Sequence, residues 1–305
     1  MDLATVDLTA SLALDPIQFI GIPFALVGAV FLSFGAQYQH RGVTKVEAKT
    51  PEDHGGGLNF RQLGLLLARP SWVVGSVLLG LAIVFQLISL GFSPLIVVQP
   101  LGAVALVITA ILNSRISKIK LNRPSILAIC LCVGGVGLFV TVAAFTARET
   151  PVTNHDLITI LIILAVVLAL FGAAFAFLRK RFKAVIYVIG AGVLYGFVAT
   201  LAKVVIARIT QSEFEWLTFT CLLALLAAVG LGAYFVQNAY SSGPPDLVIA
   251  GLTVIDPLVA VAIGIVVLQE AAEAPLWAGI AFVATGVIAI AGVYLLAKYH
   301  PQIHD

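Results

Sequence analysis

The chain alternates between long apolar segments and short polar ones. Nine apolar segments are each about as long as the roughly 20 residues that a helix needs to cross a bilayer. They cover about residues 17–38, 71–90, 94–113, 124–145, 157–178, 184–206, 216–238, 247–268 and 275–297. Only Gly91-Phe92-Ser93-Pro94 separates the second from the third, which favours a tight turn. The pattern therefore predicts an all-α polytopic membrane protein with nine transmembrane helices.

The amino-acid composition excludes the water-soluble classes. Of the 305 residues, 61% are hydrophobic and only 10% are charged, whereas soluble domains are about 45–50% apolar and about 25% charged. A water-soluble fold of this length could not bury so much apolar surface. The composition therefore excludes a soluble enzyme, a nucleic-acid binder and a disordered scaffold.

The basic residues predict the orientation in the membrane, because cytoplasmic loops carry an excess of Lys and Arg. One side holds Arg41, Lys45, Lys49, Arg61, Arg69, Arg115, Lys118, Lys120, Arg123, Arg179, Lys180, Arg181, Lys183 and Lys298. The other keeps Arg148 and Arg208, with Lys203 inside the sixth helix, and is otherwise acidic. We predict an N-terminus outside, a C-terminus in the cytoplasm, a cytoplasmic loop over 39–70 and a place in the cell membrane.

The two halves of the chain resemble each other. Helices two and three contain Leu79-Gly80-Leu81, Gln86 and Gln99-Pro100-Leu101. Helices seven and eight contain Val229-Gly230-Leu231, Gln237 and Asp256-Pro257-Leu258. Helices one to four thus pair with helices six to nine, and the unpaired fifth helix inverts the second unit. The predicted divisions are a first repeat over 1–150, the fifth helix with a basic cytoplasmic linker over 151–183, and a second repeat over 184–305.

An inverted repeat predicts alternating access around a site near the bilayer midplane, where helices are interrupted. Pro100 and Pro257 are the predicted helix breaks, and Asp256 beside Pro257 is the leading site residue. A carboxylate at the bilayer centre costs roughly 2.5–3.5 kcal/mol on insertion scales. We therefore expect Asp256 to face a cavity, bind a cation or carry a proton, or else to satisfy backbone donors near Pro257 or pair with Lys203.

Other polar residues of the helices are candidates for substrate binding. Gln86 and Gln237 lie at matching repeat positions and, with Gln99, Asn238 and Tyr195, could bind a polar substrate or join helices. Lys203 either faces the cavity or extends to the interface. Glu270 and Glu273 are expected at the outer surface, in solvent.

Glycines predict helix packing surfaces, because small residues allow close approach of helix backbones. Gly21, Gly28 and Gly35 recur every seven residues on the first helix, and Gly279 and Gly286 do so on the ninth. These faces pack either within one protomer or between protomers of a homodimer.

The motifs resemble those of the drug/metabolite transporter (DMT) superfamily. The second half, from Asn238-Ala239-Tyr240 through Asp256-Pro257-Leu258 to Gln269-Glu270, resembles the EamA-type domain. The first half, with Trp72-Val73-Val74-Gly75 and Val98-Gln99-Pro100-Leu101-Gly102, is similar to the NIPA magnesium-transporter-like branch. The resemblance implies a DMT-type transporter fold.

These observations favour a secondary active transporter of a small organic metabolite or amphipathic compound, with proton coupling through Asp256 as a hypothesis. One alternative is a NIPA-like magnesium transporter, in which Asp256 would be the metal ligand. Another is a lipid-linked sugar or polyprenyl-phosphate flippase, in which Lys203 and Arg208 would receive a phosphate. The last is a membrane scaffold that transports nothing.

The expected partners are the transported molecule, lipid or ion and the membrane lipids, without nucleic acid. No nucleotide-binding motif occurs in the sequence, so no cofactor is expected, and energy would come from an ion gradient or exchange. An enzyme is not expected, because the sequence has no convergent nucleophile and base and no metal cluster.

Overall fold

The computed structural model describes residues 19–47, 68–117, 122–178, 184–242 and 245–299, and within these ranges the chain is helical without strands. The helices are α1 (Gly21–Glu47), α2 (Pro70–Phe92), α3 (Leu95–Leu101), α4 (Ala103–Ser117), α5 (Arg123–Thr146), α6 (Asn154–Leu178), α7 (Ala184–Thr210), α8 (Trp216–Ser242), α9 (Pro245–Val266) and α10 (Leu276–Tyr299).

The described helices confirm the prediction of nine spans, because nine helical stretches are long and apolar enough to cross a membrane. The first helix continues to Glu47, beyond the predicted start of the loop at residue 39. The rest of that loop, over 48–67, and the basic linker, over 179–183, lie outside the described residues.

The two prolines of the repeated motif have different effects. Beyond Pro100 the third span divides into α3 and α4 at Gly102, whose N–H bonds to the Gln99 carbonyl at 3.1 Å in a tight turn. At Pro257, in contrast, α9 continues to Val266, so the predicted break there is wrong. A proline removes one helical hydrogen bond, and close packing against α7 keeps the two parts of α9 together.

The short helix α3 lies at the centre of the bundle. Leu95, Ile96, Val97 and Val98 are all buried, and α3 contacts α5, α7 and α9. Around it, α1 packs along α2, α7 packs along both α8 and α9, and α5 packs along α10. Any movement of α3 therefore affects both halves of the chain.

Glycines bring α5 and α10 into backbone contact. A β-carbon at Gly135 would lie 2.6 Å from the Ala289 nitrogen, and one at Gly292 would lie 2.3 Å from the Cys132 nitrogen. Within the protomer, Gly279 and Gly286 do not make the close approach on α10, and their packing between protomers stays a prediction. A β-carbon at Gly279 would meet nothing within 4 Å, and one at Gly286 would only touch the Phe139 ring at 3.9 Å.

The glycines of α1 pack against α2 within the same protomer. A β-carbon at Gly21 would lie 2.7 Å from the Ser89 carbonyl oxygen, and one at Gly28 would lie 3.4 Å from the Ala82 carbonyl oxygen. A β-carbon at Gly35 would lie 2.9 Å from the Leu79 side chain. The seven-residue spacing was therefore a correct guide to a packing face.

Gly135→Ala tests the α5–α10 contact. The added methyl group overlaps the α10 backbone, and we expect the free energy of unfolding to fall by about 1–3 kcal/mol. Gly134→Ala is the matched control, because its β-carbon meets nothing within 4 Å and alanine favours a helix over glycine by about 1 kcal/mol. Unfolding in mixed micelles measures both, and equal stability of the two variants would contradict the assigned contact.

Candidate functional site

A cavity of about 80 Å³ lies between the two prolines of the repeated motif. Pro100 and Pro257 both line it, and side chains of α5 and α10, among them Phe139 and Ile290, complete the wall. The lining is apolar apart from Thr253. The cavity therefore suits an apolar group rather than a hydrated ion.

Asp256, next to Pro257, lies at the centre of its span. It is eight residues from Val248 and ten from Val266, the ends of the candidate span, or roughly 12–15 Å from each end at a 1.5 Å rise. Its Oδ1 atom is buried and has no hydrogen-bond partner among the described residues. An unsatisfied buried acceptor costs about 1–3 kcal/mol, so this arrangement does not serve stability.

Gly192 and Gly196 of α7 allow α9 to approach at this level. A β-carbon at Gly196 would lie 3.0 Å from the Asp256 carbonyl oxygen, and one at Gly192 would lie 2.7 Å from Ile255. The two helices therefore meet with their backbones close together around Asp256.

Gln99, next to Pro100, is the second polar residue of this region. The residue is buried, and its Nε2 atom has no hydrogen-bond partner among the described residues. A β-carbon at Gly264 would lie 3.3 Å from Leu95 Cβ, while Pro100 and Pro257 share the cavity, so α3 and α9 run in opposite directions. Gln99 and Asp256 therefore lie at neighbouring levels, one with an unpaired donor and the other with an unpaired acceptor, although the cavity is lined by the adjacent prolines and not by these two side chains.

Tyr195 belongs with this pair. It lies close enough to Asp256 for an electrostatic interaction, and its ring packs on α8, where a β-carbon at Gly232 would lie 3.0 Å from Tyr195 Cε1.

The remaining predicted amides do not join the site. Asn238 donates to the Tyr234 carbonyl of its own helix at 2.7 Å, and Gln237 is exposed. Gln86 is half-buried on α2, whose backbone at that point faces Gly28 of α1.

The buried positions of α2 and α8 also bear on the prediction that Gln86 and Gln237 occupy matching positions of the repeat. Ala82 and Ser89 are buried on α2, and Gly232 and Ala239 are buried on α8 with the same spacing of seven. If the helices are aligned on these positions, Gln86 corresponds to Val236 rather than to Gln237.

Lys203 lies in a buried cluster at the end of the bundle predicted to face outside. Its Nζ donates to the carbonyls of Leu90 at 2.7 Å and Ser93 at 3.0 Å, and it forms an ion pair with Glu149. Lys203 is therefore buried within the bundle, and its ion pair among the described residues is with Glu149 rather than with Asp256.

Glu270 joins the same cluster, and the expectation that it is solvated is wrong. The residue is only 3% exposed, and its carboxyl oxygens accept hydrogen bonds from the backbone N–H groups of Leu95 at 2.8 Å and Ile96 at 2.9 Å. Glu273 lies on the surface as expected and pairs with Arg148 at 3.0 Å.

A local signal pointed to such a partner for α3. The residue before the first turn of α3 is Pro94, whose side chain accepts no hydrogen bond from the helix start. The free N–H groups of a helix start usually receive a Ser, Thr, Asp or Asn side chain. The missing cap indicated that another part of the chain supplies the acceptor, although it did not indicate which residue.

Arg208 is buried near the same end. Its guanidinium donates to the Val152 carbonyl at 3.2 Å and to Asn154 Oδ1 at 2.7 Å, and pairs with Glu213. Lys203 is occupied by internal partners, whereas the Nε atom of Arg208 is buried and has no hydrogen-bond partner among the described residues.

The described residues contain no group of three or more His, Cys, Asp or Glu side chains that could hold a metal ion. The nine spans within the described ranges define a multi-pass membrane protein.

Comparison with known proteins agrees with this class. The chain is 27% identical over 290 residues to an uncharacterized protein of Corynebacterium glutamicum, which covers 92% of this chain and 96% of that protein. Shorter matches occur with two probable magnesium transporters of Arabidopsis thaliana: NIPA5, 26% identical over 44% of the chain, and NIPA4, 30% identical over 38%. These matches span 32% of each plant protein. No protein-family model and no solved structure matches the chain.

The acidic group of Glu270 predicts a pH dependence of stability. Burial raises the pKa of this carboxyl above its usual value, and the effect exceeds that of the two backbone hydrogen bonds and the Lys203 charge, which lower it. The folded state therefore binds the proton more tightly than the unfolded state. The contribution of the Glu270 proton to the free energy of unfolding is therefore largest below the ordinary glutamate pKa of about 4.3. It is lost as the pH rises through the raised pKa of the folded state.

We expect Glu270→Gln to remove this dependence, because an amide does not titrate. Thermal unfolding in detergent, measured from about pH 4 upwards, should show wild type losing stability relative to Glu270→Gln as the pH rises. Glu273→Gln is the control and should follow wild type. Parallel profiles for wild type and Glu270→Gln would contradict the assignment.

Proposed function

We propose that the protein is a secondary transporter that moves a small organic or amphipathic compound across the membrane by alternating access, with a DMT-type fold. The observation that carries the proposal is the presence of two buried atoms without partners among the described residues, Gln99 Nε2 and Asp256 Oδ1, in the residues that precede the two cavity-lining prolines. Polar atoms buried without partners favour a rearrangement that brings them a ligand or water.

The chemistry of this pair indicates the kind of substrate. Gln99 offers a donor and Asp256 an acceptor, while Pro100, Pro257 and their neighbours offer an apolar wall. A compound with an apolar body and adjoining donor and acceptor groups, such as an amine or a hydroxyl compound, matches both features. A proton on Asp256 would remove its charge from the membrane interior, and this is the basis of the proposed proton coupling.

The helix packing supports an inverted repeat as the moving framework. The contact of α1 with α2 in the first unit has its counterpart in the contact of α7 with α8 in the second. The two units meet where α5 of the first packs against α10 of the second. Two units of the same construction around a shared cavity suit an exchange of two conformations. In this proposal the units are residues 1–150 and 184–305, with α6 outside them and the N-terminus outside the cell membrane.

A magnesium transporter is the second candidate, and the similarity to the plant proteins favours it. Mg²⁺ prefers one or two carboxylates and keeps several waters. Asp256 would be the carboxylate, but the apolar cavity beside it has little to offer a hydrated ion. We therefore place this candidate second.

A ligand screen followed by transport distinguishes the two candidates. Purified full-length protein is heated with a panel of amphipathic amines and hydroxyl compounds, and separately with MgCl₂, because a ligand of the folded state raises the unfolding temperature. The best stabiliser is then assayed for uptake into liposomes with an imposed proton gradient. We expect an organic compound to stabilise the protein and to be accumulated.

Asp256→Asn tests the role assigned to the carboxyl group. Because the amide cannot carry the proton, we expect gradient-driven accumulation to fall by about 100-fold or more, a loss typical of an essential proton-transfer group. Glu273→Gln, on the surface, is the control and should retain uptake. Accumulation by Asp256→Asn at the wild-type rate would end the coupling hypothesis.

The same liposomes, loaded with a magnesium-sensitive dye, test the second candidate. Uptake of Mg²⁺ that stops on chelation with EDTA, together with no stabilisation by any organic compound, would favour the magnesium transporter over our first proposal.

A further inference from the structure

Oppositely charged side chains hold the two sides of one turn between helices. The turn at Ser93 and Pro94 joins the C-terminal carbonyls of α2 to the N-terminal amides of α3. Lys203 binds the carbonyl side, at Leu90 and Ser93, and Glu270 binds the amide side, at Leu95 and Ile96. Each charge thus meets the end of the helix dipole that attracts it.

These bonds join distant parts of the chain. Lys203 comes from α7, and Glu270 comes from the loop between α9 and α10, whereas the turn belongs to the first half of the sequence. Since none of the bonds belongs to a helix's own backbone ladder, all of them can break while every helix stays folded. This is the property that a movable contact requires.

The loop between α5 and α6 covers the same turn. Glu149 pairs with Lys203, the Arg148 N–H donates to the Glu270 carbonyl at 2.8 Å, and Thr150 Oγ1 donates to the Leu268 carbonyl at 2.7 Å. We call Leu90, Ser93, Leu95, Ile96, Glu149, Lys203 and Glu270 together the outer closure.

The bonds at the opposite end have a different character. In the described part of the chain, Asn122 and Ser125 bond to the Tyr299 carbonyl, which joins α5 to α10, and Gln37 bonds to Asn113, which joins α1 to α4.

The local geometry leaves room for the Glu270 carboxyl. A β-carbon at Gly264 would lie 2.7 Å from Glu270 Oε2, so a glycine is required for this position of the side chain. Gln269 adopts a φ of 55°, a left-handed conformation that costs a non-glycine residue energy. Because of this turn, Glu270 lies four residues beyond the end of α9 and faces α3.

The outer closure lies directly over the candidate site. Leu95 and Gln99 are four residues apart on α3, and residues at this spacing share one face of a helix. The Glu270 bond to Leu95 is therefore one turn above Gln99, between Gln99 and the end of the bundle predicted to face outside.

We propose that the outer closure is a gate: release of Lys203 and Glu270 from the Ser93–Pro94 turn opens a path from outside to Gln99. This inference rests on the proposed transport function. It assigns to two charged residues outside the cavity the control of access to it.

Thiol accessibility tests the gate without a substrate. Gln99→Cys is introduced after Cys130, Cys132 and Cys221 are replaced by Ala, and a membrane-impermeant maleimide is added to the outside of sealed vesicles. We expect Glu270→Ala and Lys203→Met to raise the labelling rate by about tenfold, because each leaves buried backbone groups without partners.

Glu273→Ala is the matched control. Glu273 lies three residues from Glu270 in the same loop, but its side chain is 70% exposed. Gln99→Cys combined with Glu273→Ala should therefore be labelled at the same rate as Gln99→Cys alone. The gate would be overturned if Gln99→Cys were labelled at the same rate alone, in combination with Glu270→Ala and in combination with Lys203→Met. This result is independent of whether any compound is transported.

A disulfide across the closure provides a second test, in which one variant is compared with itself in its oxidised and reduced states. Leu95→Cys and Gly264→Cys place two β-carbons about 3.3 Å apart, near the range of a disulfide, although the Glu270 carboxyl must shift. Amide exchange over residues 97–101 should slow by about tenfold on oxidation and recover with dithiothreitol, because the disulfide prevents opening. Exchange that is the same in both states would show that this end does not open, and would overturn the proposal.

Discussion

The turn between α2 and α3 imposes the constraint on which the rest of the bundle depends. A helix end within a membrane protein leaves carbonyl and amide groups that must find partners inside the protein. Here Pro94 offers no cap, so Lys203 and Glu270 supply the partners from the other half of the chain. The buried position of α3 at the centre of the bundle follows from this arrangement.

The centre of the membrane has the opposite character. Two bonds satisfy the amides at the start of α3, but one turn deeper Gln99 Nε2 has no partner among the described residues, and neither has Asp256 Oδ1 on the facing helix. Packing does not explain this difference, because α7 and α9 approach closely at Gly192 and Gly196. Under the proposed function, the satisfied bonds at this end would close the path to the binding site at the centre.

Part of the packing could be predicted from the sequence. The seven-residue spacing of Gly21, Gly28 and Gly35 correctly indicated a contact face, because all three face α2. The same spacing at Gly279 and Gly286 does not mark a contact within the protomer, since a glycine repeat identifies one face of a helix but not which neighbour covers it. The α5–α10 contact instead uses Gly135 and Gly292, which belong to different helices.

The sequence by itself determined the class of protein, the nine spans and the position of Asp256 in the middle of one of them, because span length and the energetic cost of charge in a membrane are local properties. Only the tertiary structure decided the role of Glu270, expected in solvent and found 3% exposed. It also decided the partners of Lys203, and that α9 continues through Pro257 while the third span divides after Pro100. These outcomes depend on which distant groups meet, and hydropathy does not carry that information.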